Sequence, residues 1–123
     1  MEVRLFLVED RLSMQKLLED VFVALGGFEL VGEADTEAEA KLWLLEHPNQ
    51  WDIAIVDLVL EQGSGMGVVR RARELHLQGK VVVFSAYASP AVARHCLGLG
   101  ADVVFNKSET GEFLRWLSDQ GAH

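Results

Sequence analysis

The sequence predicts an α/β fold, a five-stranded parallel sheet wound with helices on both faces in the order 2-1-3-4-5. Two observations carry that expectation. Short apolar, β-rich runs alternate with longer segments of helical periodicity. The runs also hold few polar residues, as strands buried on both faces must. Right-handed crossovers leave few topologies, and this order is the common solution for five units.

The first strand is read at Val3–Val8. Met14, Leu17, Leu18, Val21, Phe22 and Leu25 then fall at i, i+3, i+4, i+7, i+8 and i+11, one stripe of a helix that Gly26 and Gly27 stop. A second strand is expected at Phe28–Val31, and Thr36 with Glu39 forms a capping-box signature that starts the second helix. The third strand is Ile53–Val56, followed by a helix from about Met66 to His76 that ends before Gly79. Val81–Phe84 is the fourth strand. Ser89 and Pro90 place a capping hydroxyl and then a proline at the start of the next helix, Ser89–Leu99, which Gly98 and Gly100 close. Val103–Phe105 and Thr110–Ser118 supply the last strand and helix.

The 123 residues, half of them hydrophobic, suit one domain over residues 1–123 with a genuine core. No apolar run approaches the ~18–20 residues that span a bilayer. The opening MEVRLFLVED reads as a strand, not as a signal peptide. A single cysteine, Cys96, forms no intramolecular disulfide and suits a reducing cytoplasm. The four histidines lie apart, none at a zinc-like spacing with cysteine. A net charge of −8 argues against direct nucleic-acid contact, although acidity for solubility alone explains it as well.

Polar residues stand at the strand ends. Glu9 and Asp10 follow strand 1, Asp57 follows strand 3, Ser85 follows strand 4, and strand 5 runs through Asn106 into Lys107. In a doubly wound sheet the ligand crevice lies outside the carboxyl ends of strands 1 and 3. Three converging carboxylates raise one another's pKa unless a positive charge neutralises them, and a hard divalent cation does so. Singly, each residue has a bland reading: Asp57 as a turn residue, Glu9 and Asp10 as a cap for the first helix, Lys107 as a solvated charge, Ser85 as a mere strand end. Their joint placement on four strand ends makes the bland readings fail together.

The run LVED, the segment DLVLEQGSG, VVVFSA and the final NKS resemble the response-regulator receiver domains of bacterial two-component systems, over essentially the whole chain. The resemblance implies a flavodoxin-like (βα)5 receiver and a phosphorylation switch. On it, Asp57 is the phosphoacceptor, a carboxylate nucleophile forming an acyl phosphate. Asp10, Asp57 and the Val59 backbone carbonyl hold Mg2+ (or Mn2+), with Glu9 acting through a coordinated water. Ser85 and Lys107 bind phosphoryl oxygens, and Gly65 matches the glycine that lets the loop after strand 3 turn. Apart from accepting its own phosphoryl group and slowly losing it, such a domain is no enzyme.

The chain departs from that pattern in places. Ser108 stands where proline often follows the lysine, so the Lys107–Ser108 bond is expected to be trans. Glu61 replaces a common proline, which predicts a looser loop after Asp57. Val104 occupies the switch position that usually carries an aromatic residue, and Phe105 beside it should face the other side of the sheet. Readout then falls either to backbone shifts in the loop after strand 4 or partly to Tyr87. Val59 and Tyr87 occupy the positions that tune phosphoryl lifetime, and their types predict slow dephosphorylation.

The implied partners are a sensor histidine kinase or phosphotransfer protein, then a downstream protein or tethered output domain, with no membrane. Leu12 is read either as a donor contact or as a helix-entry staple. Output surfaces would involve Ser89–Leu99, Val103–Phe105 and Thr110–Asp119, with Trp116 either at the edge of that face or in the core. The run Leu42-Trp43-Leu44-Leu45 is greasier than one buried stripe requires. It signals a homodimer or partner contact, or scattered surface apolar residues. Three rivals remain: a pseudo-receiver acting by fixed contacts, an aspartate-nucleophile phosphatase, and a nucleotide- or flavin-binding protein. Val59 stands where the phosphatase wants a second acid. EDRLSM lacks the glycine-rich phosphate loop of the last.

Overall fold

The computed structural model describes residues 2–121. Its elements are β1 (Val3–Val8), α1 (Leu12–Leu25), β2 (Phe28–Ala34), α2 (Glu37–Glu46), β3 (Ile53–Val56), α3 (Gly65–Leu75), β4 (Lys80–Ser85), α4 (Pro90–Leu99), β5 (Val103–Asn106), a 3-10 turn (Lys107–Glu109) and α5 (Thr110–Gly121). The strands form one parallel sheet of order β2-β1-β3-β4-β5, as the sequence predicts.

Alternation along the strands sorts the core into two layers. Phe6, Val8, Ala54, Val56, Val81 and Val83 meet Leu44, Trp51, Val68, Ala72 and Cys96 on the side of α2, α3 and α4. Leu5, Leu7, Ile53, Ile55, Val82 and Phe84 meet Leu18, Phe22, Phe113 and Leu117 on the side of α1 and α5. Each buried Leu, Ile or Phe contributes roughly 1.5–3 kcal/mol, so the two layers hold the strand ends in place. The α1 stripe is narrower than its periodicity suggests. Leu18 and Phe22 are buried and Met14 and Val21 pack beside them, while Leu17 and Leu25 stay exposed.

β2 runs three residues past the expected Val31, through Gly32, Glu33 and Ala34. As an edge strand it buries only part of its surface, so its apolar pattern fades before its pairing does. Gly32 is required there for space, because a Cβ would overlap the Trp43 indole. That indole stacks on Phe6 with ring centroids 4.1 Å apart. The greasy run in α2 thus divides in two: Trp43 and Leu44 point inward, while Leu42 and Leu45 are 55% and 58% exposed.

The loop between β3 and α3 corrects the expectation attached to Glu61. It is stitched at both ends rather than loosened. Val59 and Ser64 form an isolated bridge, Gly65 N–H donates to Leu58 O (2.9 Å), and Glu37 takes the Ser64 N–H on its carboxylate (2.7 Å). Gly63 makes the turn, with φ of +87°. Gly65 has no positive φ; it opens α3 and is needed because a Cβ would overlap the Asp57 carbonyl oxygen. Its role is therefore close approach, not the conformational freedom expected of it. The described peptide bonds are all trans, Lys107–Ser108 included.

A carboxylate cluster spans α1 and β2. Burial first, then Glu19 and Asp35, push the Glu33 carboxyl up from 4.5 to about 7. A carboxyl that holds its proton longer when folded makes the fold less stable as pH rises from its ordinary range towards that value. Glu33→Gln should therefore leave thermal stability unchanged near about pH 4 and raise it above about pH 7. The residue as a whole is exposed although its carboxyl is partly desolvated, and solvent screens the effect, so the expected gain is small, about 2 °C. Melting curves across that range check it, and a gain confined to acid would sink it.

Candidate functional site

Parallel pairing brings the strand ends together. Val8 pairs with Val56, so Glu9 sits beside Asp57, and Ser85 pairs with Asn106, one residue before Lys107. Asp57 N–H donates to Val8 O (2.9 Å) and Glu9 N–H to Ala34 O (3.1 Å), fixing both backbones on the sheet edge. One carboxylate oxygen from each of Glu9, Asp10 and Asp57 lies within 4.8 Å of the others. A cavity of about 220 Å³ opens beside them, lined by Asp10, Arg11, Asp57, Val59, Ala86, Tyr87 and Lys107.

Lys107 Nζ donates to Glu9 Oε1 (2.8 Å) and Asp57 Oδ2 (3.1 Å). Burial works to lower the Lys107 pKa, but its bonds to the two carboxylates outweigh this and raise it. Glu9 is only 2% exposed. Burial pushes its carboxyl above the ordinary range, against the hydrogen bonds from Lys107 and the Arg11 N–H (3.1 Å). The bland reading of Glu9 and Asp10 as helix caps does not hold. Arg11 occupies the N-cap of α1 and offers no side-chain cap.

Asp57 Oδ1 is buried without a hydrogen-bond partner. A buried carboxylate oxygen left unsatisfied is costly, and a hard cation would satisfy it. Three converging carboxylates are the oxygen donor set that magnesium takes. The residues present fit such an ion.

Some of the expected residues stand apart from the cavity. Ser85 is fully buried and does not line it, and its Oγ accepts the Tyr87 N–H (3.2 Å). Tyr87 and Val59 line the cavity and are exposed, at 63% and 49%. Val104 packs into the layer with α3 and α4, whereas Phe105 faces the other layer and meets Phe113 edge-on. Trp116 packs beside Phe105, half-buried at the rim of that layer. Leu12, 65% exposed at the start of α1, projects from the same edge and is no packed staple.

Sequence reading missed the work of Asn106. Its amide donates to Ala86 O and Ala88 O, both at a long 3.4 Å, and so steadies the loop after Ser85. The same side chain caps the turn that follows, in a reciprocal box with Glu109. Asparagine three residues before an acid is a capping signal, and it was legible in the sequence.

The family model described as "Response regulator receiver domain" matches residues 5–116. The chain is 25% identical to the chemotaxis protein CheY of Bacillus subtilis over 98 residues, covering 80% of this chain and 79% of that protein. A LuxR-family two-component response regulator from Aurantimonas has the same fold, with a TM-score of 0.86 and 23% identity, covering 99% of this chain and 86% of that one. A Burkholderia pseudomallei response regulator, crystallised with a phosphorylated aspartic acid and a calcium ion, has a TM-score of 0.75 at 23% identity, covering 86% of this chain and 60% of that one. The chain spans only 39% of the length of two further curated relatives. Among the described residues no helix is long and apolar enough to cross a membrane.

Proposed function

The chain belongs to the response regulator receiver domain family, and from that premise we propose that it is a phosphorylation switch in which Asp57 accepts a phosphoryl group with Mg2+. The observation that carries the reading is the orphaned Asp57 Oδ1, buried among two more carboxylates with Lys107 on its other oxygen. The Burkholderia pseudomallei response regulator, crystallised with a phosphorylated aspartic acid and a calcium ion, supports the same chemistry.

Asp57 is the nucleophile: its carboxylate attacks phosphorus, the P–O or P–N bond to the donor breaks, and the leaving group departs with the bonding pair. Asp10, Asp57 and the Val59 carbonyl would hold the magnesium ion directly and Glu9 through a water; when bound (Mn2+ serving equally), it neutralises charge on the transferring group. Lys107 gives up one of its carboxylate bonds to meet a phosphoryl oxygen. Ser85 already accepts the Tyr87 N–H, which leaves its own hydroxyl proton for another phosphoryl oxygen. Ser85 is fully buried and the residues after it, Ala86 and Tyr87, line the cavity, so that bond requires the segment Ala86–Ala88 to move. This favours readout through the loop after β4 over an aromatic rotor, since the switch position is filled by Val104.

The donor on this reading is a phosphohistidine of a sensor kinase or phosphotransfer protein in the cytoplasm, docking near Leu12. The recipient is a downstream protein or tethered output domain, without nucleic-acid contact by this domain. Residues 1–123 would act as one receiver unit. Leu42 and Leu45 offer a contact for a homodimer or partner.

Incubation with acetyl phosphate, with and without magnesium, tests the switch by intact mass and peptide mapping. The expected result is a magnesium-dependent adduct on the peptide containing Asp57. No adduct from any small donor or kinase would instead favour a pseudo-receiver, for which Val104 is the structural ground. Chasing the purified phosphoprotein should show slow loss of label, because Val59 cannot orient a water and Tyr87 can cover the phosphoryl group. Loss within seconds would overturn that part.

A further inference from the structure

We infer that Glu37, at the start of α2, is a positioning residue for the cation half of the site, fixing the loop that carries Val59 and so tying α2 to cation affinity. The inference rests on the magnesium reading of Asp10, Asp57 and Val59 given above.

Two groups close on this one carboxylate, and the backbone of the same residue makes a third contact. Its Oε1 accepts the Ser64 N–H at 2.7 Å, its Oε2 pairs with Lys41 at 2.6 Å, and its own N–H donates to Gln62 O at 3.1 Å. Lys41 first, then the Ser64 N–H, hold the carboxyl below its ordinary pKa, so it stays charged at neutral pH. The backbone opposite is bare. A Cβ on Gly63 would overlap Glu37 Cβ, and one on Gly67 would overlap Glu37 Oε2. The approach is therefore built from both sides.

The loop's inner end is equally constrained. Ser64, held by Glu37, is the residue that bridges to Val59, and Gly65 N–H closes onto Leu58 O. From the Glu37 carboxylate to Val59 the path is one hydrogen bond and one bridge. A carbonyl ligand has no rotamer to adjust, so its aim is set by the backbone on either side. Groups that orient metal ligands from outside tune affinity without touching the ion. Here that outer group comes from a helix that contributes no ligand.

Magnesium titration of the isotope-labelled full chain, followed by the amide shifts of Asp57, Val59 and Ser64, tests this. Glu37→Ala should weaken magnesium binding about tenfold, at the low end for outer partners of metal ligands. Glu37→Gln keeps an oxygen for the Ser64 N–H and should stay within about twofold of the wild type. Gly67→Ala favours its helix yet displaces the same carboxylate, and should also weaken binding. Arg4→Ala breaks the Arg4–Asp52 pair (3.1 Å) away from the ligands, and should lower thermal stability without moving the affinity. An unchanged affinity in both Glu37→Ala and Gly67→Ala, with stability lowered, overturns the inference while leaving the cation site standing. Absence of any magnesium-dependent shift in the wild type overturns the cation reading and the inference together.

Discussion

Lys107→Ala should slow phosphorylation of Asp57 by small donors about 10²–10³-fold at saturating magnesium, the usual loss when one fixed cation or donor facing a charged transition state is removed. Nζ sits between Glu9 and Asp57, at 2.8 Å and 3.1 Å, and is the ammonium bonded to both. Its loss has a second effect. Glu9 is left buried beside another carboxylate with only the Arg11 N–H to hold its charge. Removing one partner of a fully buried pair costs ~3–5 kcal/mol. Here the cavity is open to water and Glu9 can take up a proton, so about 1–2 kcal/mol is expected in metal-free buffer. Magnesium should recover most of that stability but little of the rate. Initial labelling rates and melts with and without the ion separate the effects. A rate within a few-fold of the wild type would remove Lys107 from the chemistry.

Gly65→Ala should be the most destabilising change of a glycine in the chain. The added methyl would overlap the Asp57 carbonyl oxygen and lie 2.8 Å from both Asp57 C and Leu58 Cα. All of these are backbone atoms at the end of the central strand, so no rotamer change relieves the overlap. Overpacking a buried site costs about 1–3 kcal/mol and more where backbone must move, and about 3 kcal/mol is expected here. Gly98→Ala and Gly111→Ala are the controls. Both lie in helices with nothing within 4 Å of the new methyl, and each should gain about 0.5–1 kcal/mol. Denaturant unfolding of the three variants checks the ranking. Equal stabilities would mean that the loop after β3 yields more easily than its contacts imply.

The parts legible in the sequence were those set by local chemistry. Buried parallel strands read as apolar runs, and hydroxyl caps at Thr36 and Ser89 marked helix starts that the structure keeps. The convergence of the candidate site residues was legible because a parallel sheet puts every strand's carboxyl end on one edge, so their positions in sequence set their positions in space. What stayed hidden depends on distant partners. Glu37 meets Ser64 across 27 positions, and no pattern around either residue announces it. Glu61 suggested a looser loop because proline was absent, yet the loop is held by Glu37 and by the Val59–Ser64 bridge instead. In α2 the four apolar residues were ambiguous because the inward assignment of Trp43 depends on Gly32 of β2 leaving room for its indole. Gly65 was expected for the wrong reason: conformational freedom can be guessed from a residue type, but crowding by a carbonyl cannot.

Asp57 ends the middle strand of the sheet, where every residue of Ile53–Val56 is buried and paired on both sides. In hydrogen-exchange terms these amides, and the Asp57 amide bonded to Val8, belong with the slowest in the protein, opening only when the whole domain does. A phosphoryl group accepted there, on the proposed function, would sit on the part of the molecule expected to open least readily. Any exchange difference it produces should therefore surface elsewhere, and the Ala86–Ala88 loop, whose bonds from Asn106 are long at 3.4 Å, is the first place to look.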